Sequence, residues 1–436
     1  MQDLWAEFVG APLSTEENGR TGGIRQRRLT EQAVLTELRA WLLQDYLLPY
    51  ATSLGATRIF RRCCWIDGLG HNRAAVQTAP VPSETTTPGK RGRQKAREQT
   101  PPLPPALQPV AALAQQLAQL ERPMGLQGFV LTGKSSKRKA TGKIAREAQN
   151  GAQPGEAVIF PKEGGLLTAT WPELAPALLP ALEQNAAIFL LDPLKDGLFR
   201  YADLVPLYQR TAPTELFLWL SHKQLETRLL PRLQTSEGAA ALTNLLRGDR
   251  WKSLLVRESN ANQQLLIEGL IQLCAESMQS HFLSVQRLAF PMLTGPAHVE
   301  DAPFTLLFAT RRQDSLSSLN DAVCLRQRRL LAASQQGVLN EEWFATQRAE
   351  QSVAAWETLL RKTRALGQTS RVRRWPDLRQ QLLLAHFGQY TLSEYDRIIT
   401  TLLARGEVRC EWQKGSQETD EGRLPGQRDL LLWPAP

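Results

Sequence analysis

A chain of 436 residues has length for two or three domains and a full buried core. Its five cysteines are odd in number and fall in no C-x-x-C or Cys/His ligand pattern, so neither a disulfide framework nor a zinc site is indicated and a reducing, cytoplasmic setting is expected. No uninterrupted apolar run is long enough for a membrane span, and the net charge of +9 resides in residues 80–146, where twelve Lys/Arg face three Glu.

In chain order, "LTEQAVLTELRAWLLQDYLLPY" (29–50) carries apolar side chains at helical spacing, with Thr30 in position to cap it. The leading helical segment, 1–50, precedes a first strand, "TRIFRRCCWID". The stretch 80–105, rich in Pro, Thr and charge, is expected to be a disordered basic insertion. Helices then alternate with short apolar strands: "ALQPVAALAQQLAQLE", the strand "LQGFVL", the basic helix "SKRKATGKIAREA", the strand "EAVIF", the helix "WPELAPALLPALEQ", the strand "AAIFLLDP", a helix near 200–210 and the strand "TELFLWLS". Such alternation predicts parallel βαβ units with both sheet faces covered, an α/β Rossmann-like doubly wound sheet over 51–335.

Residues 222–282 read as a helical insertion, followed by strands "FLSVQRLAFPM" and "FTLLFATR" around a Pro/Gly loop. A helix, "SLSSLNDAVCLRQRRLLA", and a long polar linker helix within 336–370 come next. The last module, 371–436, orders as helix, helix and hairpin, a winged-helix-like pattern; Thr391 and Glu394 have capping-box spacing and Gly406 is a stop.

In a doubly wound sheet ligands bind outside the carboxyl ends of the strands, where glycine admits close backbone approach. Asp67, Gly68 and Gly70 of "WIDGLG" fall there and are the candidate cofactor-binding residues, although an Asp-Gly turn after any strand looks the same. Asp192 and Pro193 of "FLLDPLKDG" end a later strand of the sheet and are the candidate catalytic pair, with a turn or helix cap as the plain alternative. His222, His281, His298 and His386 lack ligand-spaced partners, and Cys63-Cys64 belongs to the strand core. Nucleophile-elbow, phosphate-loop and zinc-protease motifs are missing, so hydrolase and NTPase readings have no support.

On "LRAWLLQDYLLPY", "WIDGLG", "AIFLLDP", "LTNLLRGDRW", "FTLLFATRRQDSLSSLNDA" and "LSEYDRIITTLLARGEV", the chain resembles the three-Cys-motif partner (TcmP) proteins, bacterial proteins encoded beside a radical-SAM-like three-cysteine protein. The resemblance implies a class I methyltransferase-like fold with a C-terminal winged-helix-like module, S-adenosylmethionine as cofactor, and an Asp-Pro that holds a target amine beside the methyl donor. The sequence departs from that pattern in the pocket. "DGLGHNR" lacks the later glycines, Thr132-Gly133-Lys134 stands where an acid would accept the ribose hydroxyls, and Leu194-Lys195 replaces the aromatic after Asp192-Pro193. Cofactor binding and its absence both stay open at this point.

The basic runs follow the first two strands and so leave the sheet at the edge of that pocket. Lys90, Arg91, Arg93, Lys134, Lys137, Arg138, Lys139 and Lys143 are the candidate nucleic-acid-binding residues, set for phosphate contact with little sequence readout. A solvated face is the competing reading. The terminal module, with ten Lys/Arg against nine Asp/Glu, reads instead as a protein-docking element. Two functional expectations result: a nucleic-acid-associated scaffold or partner subunit in a protein complex, with a decayed cofactor site, and an S-adenosylmethionine-dependent methyltransferase acting on an amino group of nucleic acid.

Overall fold

The computed structural model describes residues 30–71, 73–76, 103–133, 164–195, 198–258, 263–295, 298–335, 341–370, 372–413 and 423–434. Helix α1 (Glu31–Trp41) starts as the sequence predicts, with the Thr30 hydroxyl accepting from the Ala33 N–H at 3.2 Å. It runs through a π-helical stretch, Leu42–Leu47, into α2 (Leu48–Ala56). Leu38, Leu42, Tyr46, Tyr50 and Leu54 recur every fourth residue and are fully buried. A strict four-residue repeat drifts around a regular 3.6-residue helix, and the wider π turn keeps this stripe on the sheet.

The sheet begins with β1 (Arg62–Asp67), followed by α3 (Gln108–Ala118), β2 (Gly125–Leu131), β3 (Gly164–Leu167), α4 (Trp171–Ala181), β4 (Ala186–Leu191), α5 (Tyr201–Gln209) and β5 (Thr214–Ser221). Helices α6 (Ser236–Leu246), α7 (Arg250–Glu258) and α8 (Gln263–Gln279) lie between β5 and β6 (Ser284–Leu288), as the helical reading of that stretch predicts. A hairpin of β7 (Pro291–Gly295) and β8 (His298–Asp301) occupies the segment read as a Pro/Gly loop, and β9 (Phe304–Thr310) follows. The strand paired to β2 is "GGLL", Gly164–Leu167, while "EAVIF" lies outside the described residues.

The result is an α/β, Rossmann-like, seven-stranded sheet of order β3-β2-β1-β4-β5-β9-β6. Strands β1 to β5 run parallel, and β9 alone is reversed against both β5 and β6. Strand alternation supplies two cores. Cys63 and Trp65 of β1 face α1, α2 and α3, while Cys64 and Ile66 face α4, α5 and α8. Because β2 and β4 flank β1, the chain reverses direction of assembly there, and the crevice between the ends of β1 and β4 is the topological switch point.

Helix α9 (Gln313–Ser334) leads to α10 (Glu341–Ser370) and then to α11 (Trp375–Ala385), α12 (Leu392–Ala404) and the antiparallel hairpin of β10 (Arg409–Glu411) and β11 (Leu430–Leu432). The capping box at Thr391 and Glu394 forms, and Gly406 takes φ +68°. Asn320 and Asp321 of α9 pin this module: Asn320 donates to Tyr390 O and accepts from Gly388 N–H, each at 2.8 Å, and Asp321 accepts from Leu392 N–H at 2.8 Å. The acids of α12 are ion-paired, Glu394 with Arg328 of α9 at 2.7 Å and Asp396 with Arg379 of α11 at 2.8 Å. The indole of Trp433 lies against Gly367 of α10 where a Cβ would stand. Gly367→Ala is therefore expected to lose about 1–3 kcal/mol in urea denaturation, overpacking outweighing the ~1 kcal/mol helix-propensity gain. An unchanged or raised midpoint would mean that Trp433 moves aside freely.

Candidate functional site

The sequence places Asp67 at the end of β1, and the structure fills every direction around it. The Arg39 guanidinium of α1 grips the carboxylate, Nε to Oδ2 at 2.6 Å and Nη2 to Oδ1 at 3.3 Å, and its Nη2 also donates to Gly70 O at 2.6 Å. His71 brings Nε2 to 2.9 Å from Oδ2, and the Leu69 N–H donates to Oδ1 at 3.0 Å. Asp67 is 1% exposed. Burial alone would raise its pKa, but the Arg39 charge and the His71 contact outweigh that and hold the carboxyl well below the usual range. The acid at the head of the crevice is thus an anchor between α1 and the loop after β1.

The two glycines have local reasons to be there. Gly68 donates its N–H to Leu190 O at 2.7 Å, and an added Cβ would come to 2.9 Å from Leu191 Cδ2 and 3.2 Å from Leu190 O. Its missing side chain lets the β1 loop lie against β4. Gly70 takes φ +81°, a conformation that L residues avoid. The ammonium of Lys195 stands directly over it, in the volume that a Cβ would fill.

Asp192 and Pro193 end β4 on the other side of the crevice. Asp192 Oδ1 accepts from the Leu194 N–H at 2.8 Å, closing the turn that the sequence offers as the plain alternative. Its Oδ2 accepts from Gln224 Nε2 at 3.3 Å, and Gln224 Oε1 is buried without a hydrogen-bond partner among the described residues. Burial pushes the Asp192 carboxyl up to about 6, against the pull of the Leu194 and Gln224 bonds and the Lys195 charge. Pro193 O accepts from Phe199 N–H at 3.0 Å, and Arg228 donates to the carbonyls of Leu194 and Lys195 at 3.3 and 3.1 Å. The turn that carries Lys195 is therefore held from two sides.

At the end of β2, Thr132 donates its N–H to Leu167 O at 3.0 Å and Gly133 takes φ +70°. The last described position there is Gly133, so the β2 terminus contributes a hydroxyl and no carboxylate among the described residues. Lys90, Arg91, Arg93, Lys134, Lys137, Arg138, Lys139 and Lys143 lie outside the described residues.

The structure thus brings Asp67, Gly68 and Gly70 to one side of the crevice and Asp192 and Pro193 to the other. Sequence reasoning missed Arg39 and Gln224, and noted Lys195 only as part of the replacement for an aromatic after Asp192-Pro193. Arg39 lies 28 residues before its partner, and an arginine on an amphipathic helix gives no sign of a buried acid elsewhere.

The Cys64 thiol is pushed by burial to about 12, and Cys63 also upward, which makes both poor nucleophiles. His222 meets Thr305 Oγ1 at 3.0 Å and His281 meets the Tyr201 hydroxyl at 2.6 Å. Among the described residues no group of His, Cys, Asp and Glu is arranged to hold a metal ion, and no helix is long and apolar enough to cross a membrane. No family, curated protein or solved structure matches the chain.

Proposed function

We propose that this chain is a scaffold derived from a class I methyltransferase-like fold, whose cofactor crevice has been turned into a structural joint. The observation that carries the reading is the Asp67 carboxylate, whose two oxygens are already taken by Arg39, His71 and the Leu69 N–H. The arrangement does not fit S-adenosylmethionine. The strand-end acid is engaged, the β2 terminus offers no ribose acceptor among the described residues, and a cation stands over Gly70. The methyltransferase part of this reading rests on the TcmP resemblance; the mixed sheet, with β9 reversed between β5 and β6, supports the Rossmann-like class.

In this reading the basic runs after β1 and β2 contact nucleic-acid phosphates, and the winged-helix-like terminal module, nearly neutral and with both acids of α12 ion-paired, holds a partner protein. By the TcmP resemblance that partner is a three-cysteine radical-SAM-like protein in a bacterial cytoplasmic complex. The test is fluorescence anisotropy with labelled single-stranded oligonucleotides of unrelated sequence over a salt series. Similar affinities for all sequences are expected. Charge reversal at Lys137, Arg138 and Lys139 should reduce the logarithmic salt slope by about 2–3. No binding at about 50 mM salt, or an unchanged slope in the variant, counts against the nucleic-acid role.

One observation favours the second reading, an amino-group methyltransferase: the Asp192 carboxyl, raised to about 6, holds Gln224 by a long 3.3 Å bond, and the Gln224 Oε1 beside it has no hydrogen-bond partner among the described residues. Methyl transfer to nucleic acid that disappears in Asp192→Ala would establish it.

A further inference from the structure

The ammonium of Lys195 lies over Gly70, in the crevice at the switch point. We infer that Lys195 is the internal occupant of this crevice, its ammonium filling the space over Gly70 and setting the site against cationic ligands. The inference rests on reading the crevice as a cofactor-derived site.

Three features support it. Gly70, at φ +81°, presents bare backbone to the crevice, the surface on which a ligand would lie, and Lys195 Nζ and Cε stand on that surface. The turn that aims Lys195 is fixed rather than free: Asp192 Oδ1 takes the Leu194 N–H at 2.8 Å, and Arg228 holds the carbonyls of Leu194 and Lys195. Finally, no carboxylate lies within ion-pair distance of Nζ among the described residues. Asp67 is committed to Arg39 and His71, and Asp192 interacts with Lys195 only through the longer-range field.

The electrostatics follow from the inventory around it. Arg39 and Asp67 neutralise each other at 2.6 Å, and among the described residues Lys195, Arg228, Asp192 and Glu31 are charged groups near the turn. A sulfonium placed over Gly70 would need the volume that Lys195 holds and would meet its charge at short range, with little water between them. A neutral thioether of the same shape meets only the steric obstacle. Lys195 thus determines both how much of the crevice is open and which charge it tolerates.

The experiment is calorimetric titration of full-length wild type, Lys195→Ala and Lys195→Ser with S-adenosylhomocysteine and with S-adenosylmethionine, alongside thermal melts of each protein. Either variant that melts like the wild type is suitable, so one misfolded variant does not end the test. The expected result is S-adenosylhomocysteine binding at least about tenfold tighter in the variants than in the wild type, with a larger gain for S-adenosylmethionine. Folded variants that bind neither ligand better, while the wild type is silent, overturn the assignment of Lys195 and leave the Asp67 anchor standing. Tight binding to the wild type with Lys195 in place overturns both. Equal gains for the two ligands overturn the charge component.

Discussion

Arg39→Ala is expected to lower folding stability by about 3–5 kcal/mol, measured by urea denaturation at neutral pH, because it leaves the buried Asp67 carboxylate without its guanidinium. The side chains of Arg39 and Asp67 are only 10% and 2% exposed, so solvent cannot replace the lost partner as it would on the surface. The Gly70 carbonyl loses its donor in the same step. Replacing both residues, Arg39→Met with Asp67→Asn, should recover part of the loss, since no charge is then stranded. The acid limb carries a sign as well. Asp67 has a depressed folded pKa, so its contribution is complete above its unfolded value near ~3.9 and is lost as pH falls through the folded one. Wild type and Arg39→Ala should therefore converge in acid. A loss below about 1 kcal/mol at neutral pH would place the pair among surface ion pairs and remove the anchor from the account.

Glu215 is expected to give the protein a stability that falls as pH rises, the opposite sign. It sits on β5 with no exposure, and its oxygens accept from Tyr50 at 2.6 Å and Ser315 at 2.7 Å. Burial pushes its carboxyl up to about 7, more than the hydrogen bonds from Thr310, Tyr50 and Ser315 pull it down, and Asp314 adds to the rise. Since the folded pKa exceeds an unfolded value near ~4.3, the stabilisation is complete below the unfolded value and is lost as pH climbs through about 7. From about pH 5 to about pH 8 the wild type should lose roughly 2–3 kcal/mol more than Glu215→Gln, which cannot ionise. Chemical denaturation of both proteins across that range measures it. Parallel profiles would show that Glu215 titrates normally.

Much of the sheet was legible because its signals are local. The apolar runs of β4 and β5 are wholly buried, which is what a central parallel strand requires, and they read as continuous hydrophobic stretches in the sequence. The capping box at Thr391 works within four residues and was equally visible. Two elements were hidden by composition. Gly164–Leu167 opens with paired glycines, poor strand formers that edge pairing to β2 tolerates. The hairpin of β7 and β8 has a solvent-facing strand, His298–Asp301, exposed along its length and without an apolar alternation to announce it. At the crevice, the sequence located Asp67, Gly68, Gly70, Asp192 and Pro193 by their place after strands. It could not show that Gly68 serves the packing of β1 on β4, or that Arg39 and Lys195 converge on the same spot, because those relations exist only once α1 and the β4 turn are folded onto the sheet.

On the proposed reading the strand-end acid of this Rossmann-like sheet, held by Arg39, His71 and the Leu69 N–H, is not free to receive a ligand. Titration of S-adenosylmethionine into the wild-type protein by calorimetry tests it most directly. The account predicts no heat of binding up to millimolar cofactor. Saturable micromolar binding would contradict it, and would show that Asp67 serves a ligand despite Arg39 and His71.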